Sequence, residues 1–347
     1  MKFRHVIILF LILVPLFNFC RAQPENEVKI KEIPSRNKVE VRINNAIFTS
    51  YIWSDKLKKP VLYPIHTSSG TIVTRGFPLD PRPGERPDHP HHVGHWLNYG
   101  DVNGLDFWNN SYKVPEKKKK HYGTVQHERI KRIESNKEKG ILEIEASWRD
   151  HEGNNLLKED TRFIFYGDEK SRSIERHTTL TATSEPVNFN DNKEGFFAIR
   201  MAREFEFPTD KPLKLINQSG EPSKKKIINN KGVNGQYLSS KGITGPDVWG
   251  TRAKWMSLSA EKDGEKISVV IMDHPDNPGY PTYWHARTYG LFSANPLGQA
   301  VFSGGENELN FKLDAGESVE FKYKIYIKSG DLASNKELEE VFEEFAE

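Results

Sequence analysis

The chain has 347 residues, 36% apolar, 28% charged and 11% aromatic, a composition too rich in Phe, Tyr and Trp for a disordered chain and long enough for a sizeable core. Fifty Lys and Arg against 48 Asp and Glu leave a formal charge of +2, which excludes electrostatic binding of nucleic acid by the chain as a whole. A lone cysteine, Cys20, excludes an internal disulfide framework and any cysteine-based zinc or iron–sulfur site.

The N-terminus carries Lys2 and Arg4, then the apolar run Val6–Phe19, then Cys20-Arg21-Ala22. A basic start, a short apolar stretch and a small–x–small end read as a secretory signal peptide over residues 1–22, cleaved after Ala22. The run is too short to span a bilayer comfortably. Acylation of Cys20 is the weaker alternative, because Phe19 is bulky where a lipoprotein signal takes a small residue. Cleavage removes Lys2, Arg4 and Arg21 and takes the formal charge from +2 to −1. It also removes the thiol. Residues 23–347 then form one exported domain, periplasmic or extracellular, without a membrane span and away from intracellular nucleotide pools.

Most of that domain alternates apolar and polar residues with period two. The pattern predicts strands at Val39–Asn44, Ile141–Trp148, Arg162–Tyr166, Arg172–Leu180, Lys266–Met272 and Val319–Ile327. Turn residues separate them, as in Glu152-Gly-Asn-Asn, Tyr166-Gly-Asp-Glu, Lys262-Asp-Gly-Glu and Asp314-Ala-Gly-Glu. Many short strands with few helical windows predict an all-β fold, an antiparallel β-sandwich. The one helix expected, Asn335–Phe345, closes the chain. Leu79–Asn110 and Asp273–Gly305 lack periodicity, and long irregular stretches inside a compact domain are usually functional. The lysine runs at 117–120 and 224–226 read as solvated loop tips, since no aromatic residues interleave them.

Chemistry concentrates in four places. Asp88-His89-Pro-His91-His92-Val-Gly94-His95-Trp96 puts four His in seven residues. Imidazole titrates near neutrality and ligates metals. On a strand, His89 and His91 would share one face and His92 would point away. Downstream, Asp101, Asn103 and Asp106 weakly resemble a calcium loop, but Leu105 stands at the fifth position, and Asn103-Gly104 reads better as a hairpin apex. With Trp96, Tyr99 and Trp108 nearby, these polar groups also suit a sugar. Asp273-His274-Pro-Asp276 leads into Tyr283-Trp284-His285-Ala-Arg287. Glu194 precedes Phe196–Arg200, and Trp249 precedes Arg252 and Trp255. Arg200 and Arg252 interrupt apolar strands, where an inward guanidinium needs a carboxylate or ligand.

Five blocks in this order, "DHPHHVGHW", "YGDVNGLDFW", "DNKEGFFAIRMA", "GPDVWGTRAKW" and "DHPDNPGYPTYWHARTYGLFSANPLG", resemble the PmoA-like family of unknown function over about residues 35–330. That family is common in secreted proteins of Bacteroidota and Planctomycetota, and it usually has an apolar residue where His95 stands. The resemblance implies a fold similar to the galactose-mutarotase supersandwich and, by association with sugar oxidoreductases and glycoside-processing enzymes, a role in carbohydrate metabolism.

The expectation is therefore an exported protein acting on a carbohydrate or modified sugar, as a lyase, hydrolase or epimerase. His91, His92 and His285 would transfer protons with Glu194 or Asp273 as partners. Asp88, Asp101, Asn103, Trp108, Arg200, Trp249, Arg252, His274 and Trp284 would bind substrate. Two alternatives stay open: a non-catalytic carbohydrate-binding protein, and a divalent-metal enzyme, oxygenases included, with His89 and His91 among the ligands.

Overall fold

A computed structural model describes residues 27–347. The expected leader, 1–22, lies outside the described residues. Among the described residues two eight-stranded antiparallel sheets dominate. The first runs Val28–Ile33, Lys38–Ile43, Ala46–Ile52, Val61–Leu62, His95–Tyr99, Gly195–Arg200, Leu291–Asn295 and Tyr283–Trp284 in spatial order. The second runs Gln236–Ser239, Trp255–Lys262, Glu265–Asp273, Ser318–Gly330, Ser171–Ala182, Asn155–Gly167, Gly140–Arg149 and Thr124–Ser135. A short ribbon pairs Val187–Phe189 with Phe311–Leu313. This is the β-sandwich that the alternating sequence predicts, with every predicted strand inside an observed one except that Val39–Asn44 overruns the observed end at Ile43 by one residue.

The sheets meet through aromatic side chains. Phe197 stacks on Tyr323 at 4.5 Å between ring centroids, Phe196 packs on Phe321 at 4.5 Å, and Phe48 meets Phe165 edge-on at 6.2 Å. One ion pair is sealed in the same interior. Arg176 donates to Glu159 at 2.8 Å, and Glu159 also accepts from Trp148 Nε1 at 2.8 Å and Thr161 Oγ1 at 2.7 Å. Each charge therefore carries the hydrogen bonds that burial demands.

The two outer faces are covered differently. The C-terminal helix, Asn335–Ala346, lays Leu338, Phe342 and Phe345 on Trp255, Val270, Met272 and Tyr326 of the second sheet. Ser334 caps it by accepting from the Glu337 amide, the spacing of a capping box. No helix among the described residues is long and apolar enough to cross a membrane. The first sheet's outer face is covered by loops instead, and these are the irregular segments of the sequence.

One element inside those segments is regular. His95–Tyr99 is a central strand, buried at all five positions. It sends Leu97 and Tyr99 into the inter-sheet core and Trp96 to a separate cluster with Val61, Val93, Trp108, Ala198 and Leu291 on the outer face. A strand buried on both faces has no polar alternation to reveal it. Two further sequence features take their expected form. Asn103 and Gly104 both have positive φ, 52° and 80°, at the apex of a hairpin closed by Val102 and Leu105, and Glu116–His121 is an exposed 3-10 turn.

Gly94 joins the histidine-rich loop to this strand. Its φ is +55°, and a Cβ there would lie 2.1 Å from the Leu62 carbonyl oxygen. Replacing Gly94 by Ala is expected to cost about 1–3 kcal/mol through strain and overpacking, read as a drop in the denaturation midpoint. A midpoint equal to wild type would show that the close approach does not constrain the loop.

Candidate functional site

Residues 89–92 form a turn, not the strand considered above. His92 N donates to His89 O at 3.0 Å across Pro90 and His91, and His89 has a φ of +42°. The turn brings three imidazoles together that a strand would have separated. His91 and His92 are 4.3 Å apart at their ring centroids, His89 and His92 4.9 Å, and His89 and His91 5.7 Å. Tyr289, His89, His92 and Trp96 stack in succession at 5.2, 4.9 and 5.3 Å.

Buried charge fixes the turn. Asp88 Oδ1 accepts from Arg75 Nη1 at 2.7 Å and Arg200 Nη2 at 2.9 Å, and His89 Nδ1 lies 3.2 Å from the same oxygen. The side chains of Arg75 and Arg200 are 1% and 0% exposed. Arg75 Nη2 also donates to His89 O at 2.9 Å and His92 O at 3.0 Å. The Arg200 guanidinium sits 4.8 Å over the Tyr289 ring. Although burial opposes ionisation of Asp88, the two arginines and His89 hold its carboxyl well below the usual carboxylate range.

Arg200 Nη1 lies 3.1 Å from His92 Nδ1. A guanidinium only donates, so Nδ1 accepts and the His92 proton sits on Nε2. That Nε2–H is buried and has no partner. Among the other buried nitrogens in the same condition are His91 Nε2, Trp96 Nε1, Trp108 Nε1 and His285 Nδ1. Trp108 links them, with its ring 5.2 Å from Trp96, 5.7 Å from His92 and 6.5 Å from His285. The two imidazole-rich stretches of the sequence thus meet across Trp108. Burial is the main cause that keeps these imidazoles neutral, helped by the surrounding cations. It holds His91 down to about 2, His285 down to about 3, and His92 well below the ordinary value.

Beside His91 lies a cavity of about 360 Å³ walled by Leu57, Val61, Pro78, Leu79 and Val93, with Lys59, His91, Asn110 and Ser111 as polar lining. On the other flank, Phe302 touches both His285 and Trp249, and Arg287 lies over Trp249 at 5.6 Å and Tyr289 at 5.8 Å. Glu194 is ion-paired with Lys193, and its charge is felt at Asp106 and Tyr289, which puts it at the rim.

Other sequence candidates lie elsewhere. Trp284 packs in the core on Phe292, with Nε1 donating to Ala253 O, so it offers no platform to a ligand. Asp273 is fully buried and accepts from Asn277 Nδ2 and the Thr282 amide, and burial lifts its carboxyl to about 7. It ties the loop 273–282 together instead of facing the imidazoles. His274 accepts from Asp276 N and packs on Phe345 of the terminal helix. Arg252 donates to the carbonyls of Gly279, Tyr280 and Pro281 and lies over Tyr283, as a backbone clamp. Asp101 and Asn103 bind the Gly104 amide, Asn190, Asn188 and Pro186, so they build the hairpin. His95 points inward onto Phe197. Among the described residues no three His, Cys, Asp or Glu side chains are grouped to hold a metal, His89 and His91 included. The residues that sequence reasoning missed are Arg75, Lys59 and Tyr289.

The model of a family of unknown function, DUF6807, matches residues 38–343, and the chain belongs to that family. This corrects the resemblance to the PmoA-like family, which the matching family does not support. No curated protein matches the chain. Among solved structures, it is similar to the GH36 α-galactosidase AgaB of Geobacillus stearothermophilus, with 12% identity, a TM-score of 0.42, and 88% of this chain and 41% of that one covered. It spans about two fifths of that enzyme's length. It is also similar to the galactose 1-epimerase of Lactobacillus acidophilus NCFM (10% identity, TM-score 0.38, 88% and 99% covered) and to a galactose mutarotase-like protein of Clostridium acetobutylicum (10%, 0.32, 87% and 98%).

The depressed imidazoles set a pH dependence. A histidine that titrates lower in the folded than in the unfolded chain contributes stability that is complete above the unfolded value, near 6.5. That contribution is lost as pH falls, because the unfolded chain takes up the proton first. Below about pH 6, His91 and His285 should each make stability fall with acidification by up to about 1.4 kcal/mol per pH unit; carboxylates such as Asp273 titrate in the same range, so the difference between wild type and a His91 variant isolates the imidazole. Denaturant titrations of the wild type and of His91→Gln at several pH values check this. The expected slope for the variant is about one proton shallower, and parallel slopes would place His91 in solvent.

Proposed function

We propose that this DUF6807 member is an exported carbohydrate-binding protein. Its ligand hydroxyls would engage the imidazoles of His91, His92 and His285 beside the Trp108 ring. The reading is supported by one observation above all: five buried imidazole and indole nitrogens around Trp108 have no hydrogen-bond partner. A buried polar group left unpaired costs about 1–3 kcal/mol, and a cluster of them asks for a polar guest. Neutral imidazole both donates and accepts, as a hydroxyl does, while the half-buried Tyr289 supplies apolar ring area for sugar C–H groups. Arg75 and Arg200 against the single Asp88 leave the centre with an excess positive charge, which favours an oxidised or acidic sugar over a neutral one.

Proton transfer by a histidine–carboxylate pair fits less well. A general acid or base works best when it titrates near the operating pH, and His91 and His285 are held far below it. The carboxylates are committed as well: Asp88 to two arginines, Glu194 to Lys193 and Asp273 to its own loop.

Calorimetric titration of mono- and disaccharides, with their uronic and keto forms, tests the proposal on wild type, His92→Phe and Trp108→Phe. Removing one donor while keeping a ring is expected to weaken binding by about tenfold to a hundredfold. No heat from any sugar in the panel, or variants that bind as tightly as wild type, would overturn it.

A further inference from the structure

Nothing in the run Lys56-Leu57-Lys58-Lys59-Pro60 sets one lysine apart, but the fold does. Lys56 is exposed, whereas Lys59 is 4% exposed. The Lys59 Nζ donates to the His91 carbonyl at 2.7 Å and lies 5.1 Å from the centre of the Trp96 ring. Among the described residues no carboxylate lies within ion-pairing distance of it, although Asp106 contributes a longer-range field. An ammonium has three donors and seldom goes unpaired in an interior. Lys59 has one acceptor, an aromatic face, and a cavity whose apolar walls are Leu57, Val61, Pro78, Leu79 and Val93.

We propose that Lys59 is a nucleophilic amine that captures a small carbonyl compound in this cavity as an imine, the carbonyl being that of an open-chain or keto sugar. The substrate class rests on the carbohydrate reading above, while the amine's reactivity rests on its own surroundings.

The step balances without a further reactant. The Nζ lone pair adds to the carbonyl carbon, and the carbonyl π pair moves to oxygen, which takes a proton. The resulting carbinolamine loses that oxygen with two hydrogens, one from the nitrogen, as water, and a C=N bond forms. His91 lines the same cavity with an unpartnered Nε2, so it is placed to hold the carbinolamine hydroxyl. Desolvation in apolar surroundings is a recognised way to activate a lysine. Here burial brings the amine down to about 7. At neutral pH about half of such an amine is uncharged, against about one part in 10³ for an ordinary lysine.

The test uses the full folded chain, dihydroxyacetone as probe and cyanoborohydride to reduce any iminium, at pH 7. Peptide mass mapping then reads each lysine, a reduced adduct adding the mass of the probe less one oxygen atom. Lys59 is expected to label about tenfold faster than Lys56 and Lys58, which line the same cavity and serve as internal controls. In Lys59→Arg, which keeps the cation, the fast adduct should vanish while Lys56 and Lys58 label as before. Labelling at Lys59 no faster than at its neighbours, or only after unfolding in urea, would overturn the proposal. Sugar affinity measured by calorimetry on the same preparation separates the two readings. An inert Lys59 with sugar still bound sinks only the imine, and a reactive Lys59 with no sugar bound keeps the amine and removes the sugar.

Discussion

One carboxylate oxygen holds the site together. Asp88 Oδ1 is shared by Arg200, at the end of a central strand, and Arg75, from the segment before the histidine loop. Arg75 in turn binds the carbonyls of His89 and His92, the two ends of the turn. The side chain of Arg86, next to Pro87, is pinned by Glu206 at 2.6 Å, and Glu85 accepts from the amides of Gly76 and Phe77. A loop with this many buried charges is expensive unless each charge is met, and breaking one such pair typically costs about 3–5 kcal/mol. The return is positional. Three imidazoles, two indoles and a phenol are held in one stack and its border without relying on a flexible loop's own preferences.

The same enclosure decides what the imidazoles can do. Burial keeps them uncharged, and it leaves a nitrogen of each without a partner. Groups of that kind recognise hydroxyls better than they move protons at neutral pH. The nearby cavity adds a different capacity, because its one buried lysine, Lys59, has no carboxylate within ion-pairing distance among the described residues. Recognition and reactivity would then occupy adjoining volumes that meet at His91.

The fold was largely legible from period-two alternation. Strands such as Gly140–Arg149 and Ser318–Gly330 alternate apolar residues with polar or charged ones, and the terminal helix announced itself by its run of Glu and Leu. The central strand His95–Tyr99 was not legible, because burial on both faces removes the alternation. At the candidate site, the density of histidine between Asp88 and Trp96 pointed to the loop where the imidazoles cluster, and Arg200 and, across Trp108, His285 lie beside it. The turn at Pro90 was hidden, since a strand and a turn place the same side chains on different sides. Trp284 and Arg252 show the opposite limit: an aromatic or a cation beside a histidine reads identically whether it faces a ligand or props the backbone. Lys59 and Arg75 had no local mark at all, because their role comes from residues distant in the chain.

The most direct measurement is a ¹⁵N–¹H spectrum of the indole groups, recorded while an oxidised sugar is added. Three tryptophans already have partners for Nε1: Trp148 on Glu159, Trp255 on Glu339 and Trp284 on Ala253 O. Trp96 and Trp108 have none. The expected result is a saturable shift confined to Trp96, Trp108 and the neighbouring imidazoles, with the three paired indoles unmoved. Shifts spread over all indoles, or a Trp108 signal that stays in place while sugar binds, would contradict a ligand seated on the unpaired nitrogens.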